Sequence, residues 1–255
     1  MFLALDIGNS NLTFGLFRGP RLLRTWRLET KPGATPGMLA WQFARLPKLP
    51  AASLEVMAAA SVVPELEAAV TAAAKQVWNH EVAWIRAESP WPIRNLYRPA
   101  GTAGVDRLLN AVAVSEYHGL PALVVDFGTA ITVDAVSGKG EFLGGAILPG
   151  IHVGLTALAS KTSKIRTVAL AKPRRIIGKS TREGLNSGLV LGTGFAVQSL
   201  LLGMKREMAG KARVVATGGY AAWLAPLCPA IGAVDPDLTL QGIRLAWEYQ
   251  KRIQP

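Results

Sequence analysis

A chain of 255 residues, half of them hydrophobic and only 18% charged, has ample material for a buried core, and this composition excludes disorder. The formal charge of +11 invites nucleic acid, anionic lipid or phosphorylated ligands. However, the 28 Lys and Arg are spread along the chain, and the longest cluster, Lys172-Pro173-Arg174-Arg175, has no aromatic-interleaved motif with it, so no nucleic-acid partner is expected.

The N-terminus reads as three strands, Phe2–Ile7, Leu12–Phe17 and Leu22–Leu28, with turns at Gly8–Asn11 and Arg18–Arg21. Phe2–Ile7 holds Asp6 and lacks a basic start and a cleavage site, so it is read as a strand and not as a signal peptide. A strand at Val56–Ser61 follows. A helix then opens on Pro64, whose missing N–H is harmless in a first turn, and runs to about Val77. Val82–Arg86 is a further strand, and the Pro-rich loop Pro90–Pro99 leads to a helix from Ala103 to Tyr117 with Leu108, Leu109, Val112 and Ala113 on one face. Strands at Ala122–Asp126, Ile131–Val136 and Phe142–Ile147 come next, with a turn at Phe127–Thr129. The remainder is mostly helical (Ile151–Ser160, Thr181–Met208, Leu238–Lys251), interrupted by a strand at Arg213–Ala216. No apolar run is read as reaching the roughly 20 residues of a membrane helix, so no membrane partner is expected. The single cysteine, Cys228, cannot form an internal disulfide and fits a reducing cytoplasm.

The informative feature is a repeat. Leu5-Asp6-Ile7-Gly8-Asn9 is answered 120 residues later by Val125-Asp126-Phe127-Gly128-Thr129, and each copy is followed by a second strand. One Asp–x–Gly is an ordinary hairpin turn. Two copies at about half the chain length point to a duplicated unit joined near Gly119–Pro121, with domains at 1–118 and 119–255. A strand that ends in Asp and turns through Gly suits polyphosphate. Gly lets the backbone approach the ligand, and successive N–H groups of a tight turn hold an anion. Asn9, Asn11, Thr13, Thr129 and Thr132 can add side-chain donors, while the carboxylates must act through a cation or water. A third element, Val214-Val215-Ala216-Thr217-Gly218-Gly219, ends a strand in a Gly pair before the helical stretch Tyr220–Leu227, and such a turn lets an adenosine lie close to the backbone.

Gly104-Val105-Asp106-Arg107 opens the Ala103–Tyr117 helix. An acid is favourable there against the helix dipole. Yet the chain has only six aspartates, and three of them, Asp6, Asp106 and Asp126, lie in glycine-bracketed motifs. Asp106 beside Arg107 offers a base next to a cation, the pair a kinase needs to orient an alcohol and accept its proton. Other patterns are set aside. Gly178-Lys179-Ser180 lacks the first glycine of a P-loop, since Pro173 stands there, and Gly192-Thr193-Gly194 lacks the third glycine of a dinucleotide fingerprint. His80, His118 and His152 lack metal-ligand spacing.

Taken together, Asp6-Ile7-Gly8-Asn9-Ser10-Asn11, Gly104-Val105-Asp106-Arg107, Asp126-Phe127-Gly128-Thr129-Ala130-Ile131-Thr132 and Gly144-Gly145-Ala146-Ile147-Leu148-Pro149-Gly150 resemble type III pantothenate kinases, and Gly178–Thr181 and Asp235–Gly242 extend the likeness to the C-terminus. The resemblance implies an α/β fold of two duplicated ribonuclease H-like domains, as in actin-like ATPases and sugar kinases, with the nucleotide cleft between them. It implies ATP with Mg2+ and a monovalent cation, K+ or NH4+. It further implies that Asp6, Ile7, Gly8, Asn9, Ser10, Asn11, Leu12 and Thr13 form the first phosphate loop and that Thr129 contacts ATP. Asp126 would hold the monovalent cation and Asp106 would act as general base. Tyr97, Gly104, Val105, Asp106, Arg107 and Thr181 would line the pantothenate site. The family's homodimer implies a shared site, with the segment after Thr181, apolar at Leu185, Leu189 and Phe195, against its copy. Two departures are Arg98-Pro99-Ala100 where an Asn-Pro pair is usual, and Ala103 where a larger apolar residue is common. The rival reading is an accessory nucleotide-binding protein of the same fold without kinase activity.

Overall fold

The computed structural model describes residues 1–46, 49 and 53–253. They form two units, Met1–Ala113 with Asp237–Pro255, and Val114–Pro236.

The first unit opens as an antiparallel meander, β1 (Phe2–Ile7), β2 (Asn11–Arg18) and β3 (Arg21–Glu29). After α1 (Pro36–Phe43), the strand β4 (Val56–Ser61) joins the free edge of β1 in parallel. A further helix, α2 (Glu67–Trp78), then carries the chain to β5 (Val82–Ile85), parallel to β4. The sheet order is β3-β2-β1-β4-β5. β6 (Arg94–Asn95) and α3 (Val105–Tyr117) follow. The pleat of β1 sorts its side chains between two cores. Leu3, Leu5 and Ile7 face α1 and α2, with Leu39, Phe43, Val70 and Trp78, while Phe2 and Ala4 face Val105, Leu109, Leu240, Ile243 and Ala246.

The second unit repeats the plan. β7 (Ala122–Phe127), β8 (Ala130–Val136) and β9 (Glu141–Pro149) form the meander. It is followed by α4 (Ile151–Lys161), by α5 (Thr181–Asn186), and by α6 (Gly192–Glu207), which continues α5 through a π-type turn at Ser187–Leu191. β10 (Arg213–Thr217) joins β7 in parallel, and after α7 (Ala221–Leu224) the short β11 (Ala233–Val234) joins β10 in parallel. Within this unit the order β9-β8-β7-β10-β11 is that of the first sheet. The duplication seen in two loop sequences is therefore a duplication of topology.

Three features differ from the sequence expectation. The last helix, α8 (Leu238–Ile253), was grouped with the second half, yet it lies on the first unit: Leu240, Ile243 and Ala246 complete the core over Phe2 and Ala4. The contact is close at Gly242, where a Cβ would meet the backbone carbonyl carbon of Leu109 at 2.7 Å. α1 lies in a stretch between Leu28 and Val56 for which no element was expected. Pro36 occupies the first turn, Thr35 caps it by accepting the Met38 N–H at 3.3 Å, and Leu39, Ala40 and Phe43 are buried. Finally, the continuous helical segment Thr181–Glu207, 27 residues whose most apolar 18-residue stretch has mean hydropathy 1.5, is long and apolar enough by length and composition to cross a membrane, and 22% of that stretch is buried. Several of its polar groups bond within the protein. Asn186 accepts from the Ala171 N–H at 2.7 Å, and Gln198 accepts from the Ala230 N–H at 3.0 Å. Val190, Val197 and Leu201 belong to the second unit's core. Leu185 is also buried by its own chain, while Phe195 is exposed.

Candidate active site

The two Asp–x–Gly sequences are β-hairpins built alike. On the first, Asp6 lies opposite Thr13 and Ile7 opposite Leu12. On the second, Asp126 lies opposite Thr132 and Phe127 opposite Ile131. Each Asp is the half-exposed fifth residue of a strand whose other residues are buried. The pairing 6–13 against 126–132 means that the first turn has one residue more. The Gly8 N–H closes it on the Asn11 carbonyl at 2.9 Å, and the Gly128 N–H closes the other on the Ala130 carbonyl at 3.1 Å. Asn9, Ser10 and Thr129 are exposed at the tips.

One residue of the first loop escaped the sequence reading. The Thr30 hydroxyl, buried at the end of β3, donates to the Gly8 carbonyl at 2.7 Å, and the Thr30 N–H donates to the Ser10 carbonyl at 3.0 Å. A threonine just past a strand carries no recognisable signal. Thr30→Val keeps the volume and orphans the Gly8 carbonyl, so it should destabilise the protein by about 1–2 kcal/mol. Denaturant midpoints measure this, and an unchanged midpoint would show that the loop stands without this clamp.

In the first unit, Gly104 precedes α3 and accepts from the Arg107 and Leu108 N–H groups at 3.1 and 3.3 Å. Asp106 is half-buried in the first turn, and the Arg107 N–H also donates to its Oδ1 at 2.9 Å, which fixes the carboxylate's orientation. The Arg107 side chain is buried, with its guanidinium carbon 5.1 Å from the centre of the Tyr97 ring. Tyr97 is held in turn by its N–H, which donates to Asn95 Oδ1 at 2.9 Å. The fold thus brings Tyr97 to Arg107 and Asp106. Val105, beside them, points into the core.

In the second unit, Gly218 follows β10 with φ +92°, and a Cβ there would meet Phe127 backbone atoms at 2.8 Å, so the turn lies directly on the hairpin. Thr181 is exposed in the first turn of α5. That turn is capped by Ser180, which accepts the Glu183 N–H at 3.2 Å, while Glu183 reaches back to the Lys179 N–H at 2.7 Å. The glycine of the discarded P-loop pattern therefore serves packing: a Cβ on Gly178 would meet the Glu183 carbonyl carbon at 2.6 Å. Among the described residues no group of three or more His, Cys, Asp or Glu could hold a metal ion. Cys228 lies buried, with its thiol pushed up to about 11 by desolvation, so it is no nucleophile.

Comparison with known proteins is consistent along the whole chain. The family profile described as type III pantothenate kinase matches residues 2–202. A type III pantothenate kinase of Moorella thermoacetica is 40% identical over 253 residues, covering 97% of this chain and 99% of that one. Among solved structures, a Campylobacter jejuni protein described as a Baf family transcriptional activator covers 98% of this chain and 99% of its own, with TM-score 0.62 and 21% identity. An inorganic polyphosphate/ATP-glucomannokinase of Arthrobacter sp. strain KM covers 98% of both chains, with TM-score 0.51 and 16% identity. At such identities the two structures speak for the fold alone, the duplicated ribonuclease H-like architecture.

Proposed function

The chain belongs to the type III pantothenate kinase family, and on that premise we propose how its residues divide the work of the reaction. It is a pantothenate kinase: it moves the γ-phosphoryl group of ATP to pantothenate, giving 4′-phosphopantothenate, the first step of coenzyme A biosynthesis. The acceptor's 4′ oxygen forms a bond to the γ-phosphorus, the bond from that phosphorus to the β-bridging oxygen breaks, and ADP leaves. The protein's part is positioning, electrostatics and one proton.

Asp106 takes that proton from the alcohol. The observation that carries this assignment is its fixed orientation: the Arg107 N–H holds Oδ1 at 2.9 Å, so the carboxylate is set before substrate arrives. Arg107 and Tyr97, stacked 5.1 Å apart, give the acceptor's carboxylate and polar groups a cation and a phenol. Gly104 and Val105 shape the floor, and Thr181 adds a hydroxyl. The Asp6–Thr13 hairpin cradles phosphate through its turn N–H groups and Asn and Ser side chains, and Thr129 does so on the second hairpin.

Asp126 offers its carboxylate, and Thr132, opposite it in register, can add a hydroxyl. One carboxylate without His or Cys suits a weakly held K+ or NH4+, and Mg2+ is carried by the ATP phosphates, whose charge it neutralises when bound. Activity should rise with K+ or NH4+ over a sodium-free choline buffer, and Asp126→Ala should abolish that response. Equal rates with and without the ion would remove this assignment. The enzyme works as a cytoplasmic homodimer, with the exposed face of α6 against its copy. Adding pantothenate to protein and ATP and following ADP release tests the whole reading, because an accessory protein or a substrate-free ATPase would give no pantothenate-dependent ADP.

A further inference from the structure

Two aromatic side chains meet beside the second hairpin and have no part in the chemistry above. The rings of His152 and Tyr220 lie 5.3 Å apart at 34°, and Trp223 stands 6.5 Å from Tyr220. Backbone bonds tie both to the hairpin. The Tyr220 N–H donates to the Phe127 carbonyl at 3.1 Å, and Gly150, two residues before His152, donates its N–H to the Thr129 carbonyl at 3.0 Å. The chain around them is stripped of side chains by necessity. A Cβ at Gly218 would meet Phe127 at 2.8 Å, and one at Gly150 would meet the Thr129 carbonyl carbon at 2.9 Å. Gly219 is exposed as well. Bare backbone therefore adjoins the phosphate turn, and two rings wall it. Tyr220 rests partly on the second unit's core, but His152 is exposed, so burial does not explain the pair.

We infer that His152 and Tyr220 form the stacking platform for the nucleotide base and set the choice among nucleoside triphosphates, a role that rests on the reading of the Thr129 hairpin as a phosphate loop. Bare backbone admits the ribose closely, and an aromatic face takes any base through its π-surface, a larger purine more strongly than a pyrimidine. ATP and GTP should therefore be used at similar KM, and CTP and UTP at higher KM.

The test compares the KM for ATP, GTP and CTP with the inhibition constant of inorganic triphosphate, which has phosphates and no base. Tyr220→Leu keeps bulk against the core and removes the ring. It should raise the KM for ATP roughly 5- to 30-fold with kcat within about twofold, and leave triphosphate inhibition unchanged. Tyr220→Phe should restore the wild-type KM. His152→Ala, at an exposed position, should raise the KM for ATP roughly 3- to 10-fold and narrow the gap between purine and pyrimidine nucleotides. Two results overturn the platform: an unchanged KM for ATP in both folded variants, or an equal loss for ATP and triphosphate. Thr129→Val separates the two levels. Weakened triphosphate inhibition there keeps the phosphate-loop reading even if the platform fails. No effect on ATP or triphosphate removes that reading itself.

Discussion

Asp106→Asn is expected to lower kcat by roughly 10²–10⁴ while leaving ATP binding close to wild type. The amide is isosteric and still offers an oxygen to the Arg107 N–H, which now meets Asp106 Oδ1 at 2.9 Å, so the side chain should keep its rotamer. What disappears is the capacity to accept a proton as the alcohol oxygen bonds to phosphorus. Magnitudes separate this from a structural effect. Losing an acid from a helix first turn costs about 0.3–1 kcal/mol of stability, whereas the expected rate loss corresponds to about 3–5 kcal/mol in the barrier. The core beneath α3 is built by Val105, Leu108, Leu109 and Val112, none of which changes. Steady-state ADP release, with ATP titration of the same protein, makes the measurement. Turnover within tenfold of wild type would take the proton-accepting role away from Asp106, and a large drop in unfolding midpoint would reassign it to holding the helix.

Mixing two inactive variants should regenerate activity. The α5–α6 segment keeps Val190, Val197 and Leu201 in its own core but leaves Phe195 52% and Leu202 45% exposed, on a helix with only 22% of its most apolar stretch buried. In the proposed two-fold dimer, the commonest kind of oligomer, these exposed apolar side chains meet their own copies. In that arrangement the proposed site combines Asp106 of one chain with Thr181 of the other. Asp106→Asn protein mixed with a Thr181 variant that does not bind pantothenate then gives hybrid dimers. Each hybrid has one site with both residues intact, and random exchange should restore about a quarter of the wild-type rate. Subunit exchange is verified first by pull-down of differently tagged chains. Exchange without recovery, or an active monomer in sedimentation, would mean that Thr181 serves its own chain.

Sequence by itself determined the local plan. The meanders at Phe2–Leu28 and Ala122–Ile147, the strand at Val56–Ser61 and the helix ending at Tyr117 were legible because half-buried elements print their period on the chain. The two loops were legible because Asp6 and Asp126 share one arrangement of strand, acid, glycine and strand. Helix α1 was missed because its eight residues give too short a period to stand out. The long helical segment read from Thr181 to Met208 contains a π-type turn at Ser187–Leu191, in a stretch where Gly188, Gly192 and Gly194 weaken the helical preference. Only the tertiary structure decided which face meets which. An amphipathic repeat says that α8 must bury Leu240, Ile243 and Ala246, not that Phe2 and Ala4 will receive them. Nothing local to Tyr97, Thr30 or Tyr220 announces Arg107, Gly8 or Phe127 as a neighbour. Periodicity is a property of a segment alone, whereas a long-range contact depends on how two segments fill one volume, and that is settled when the whole core closes.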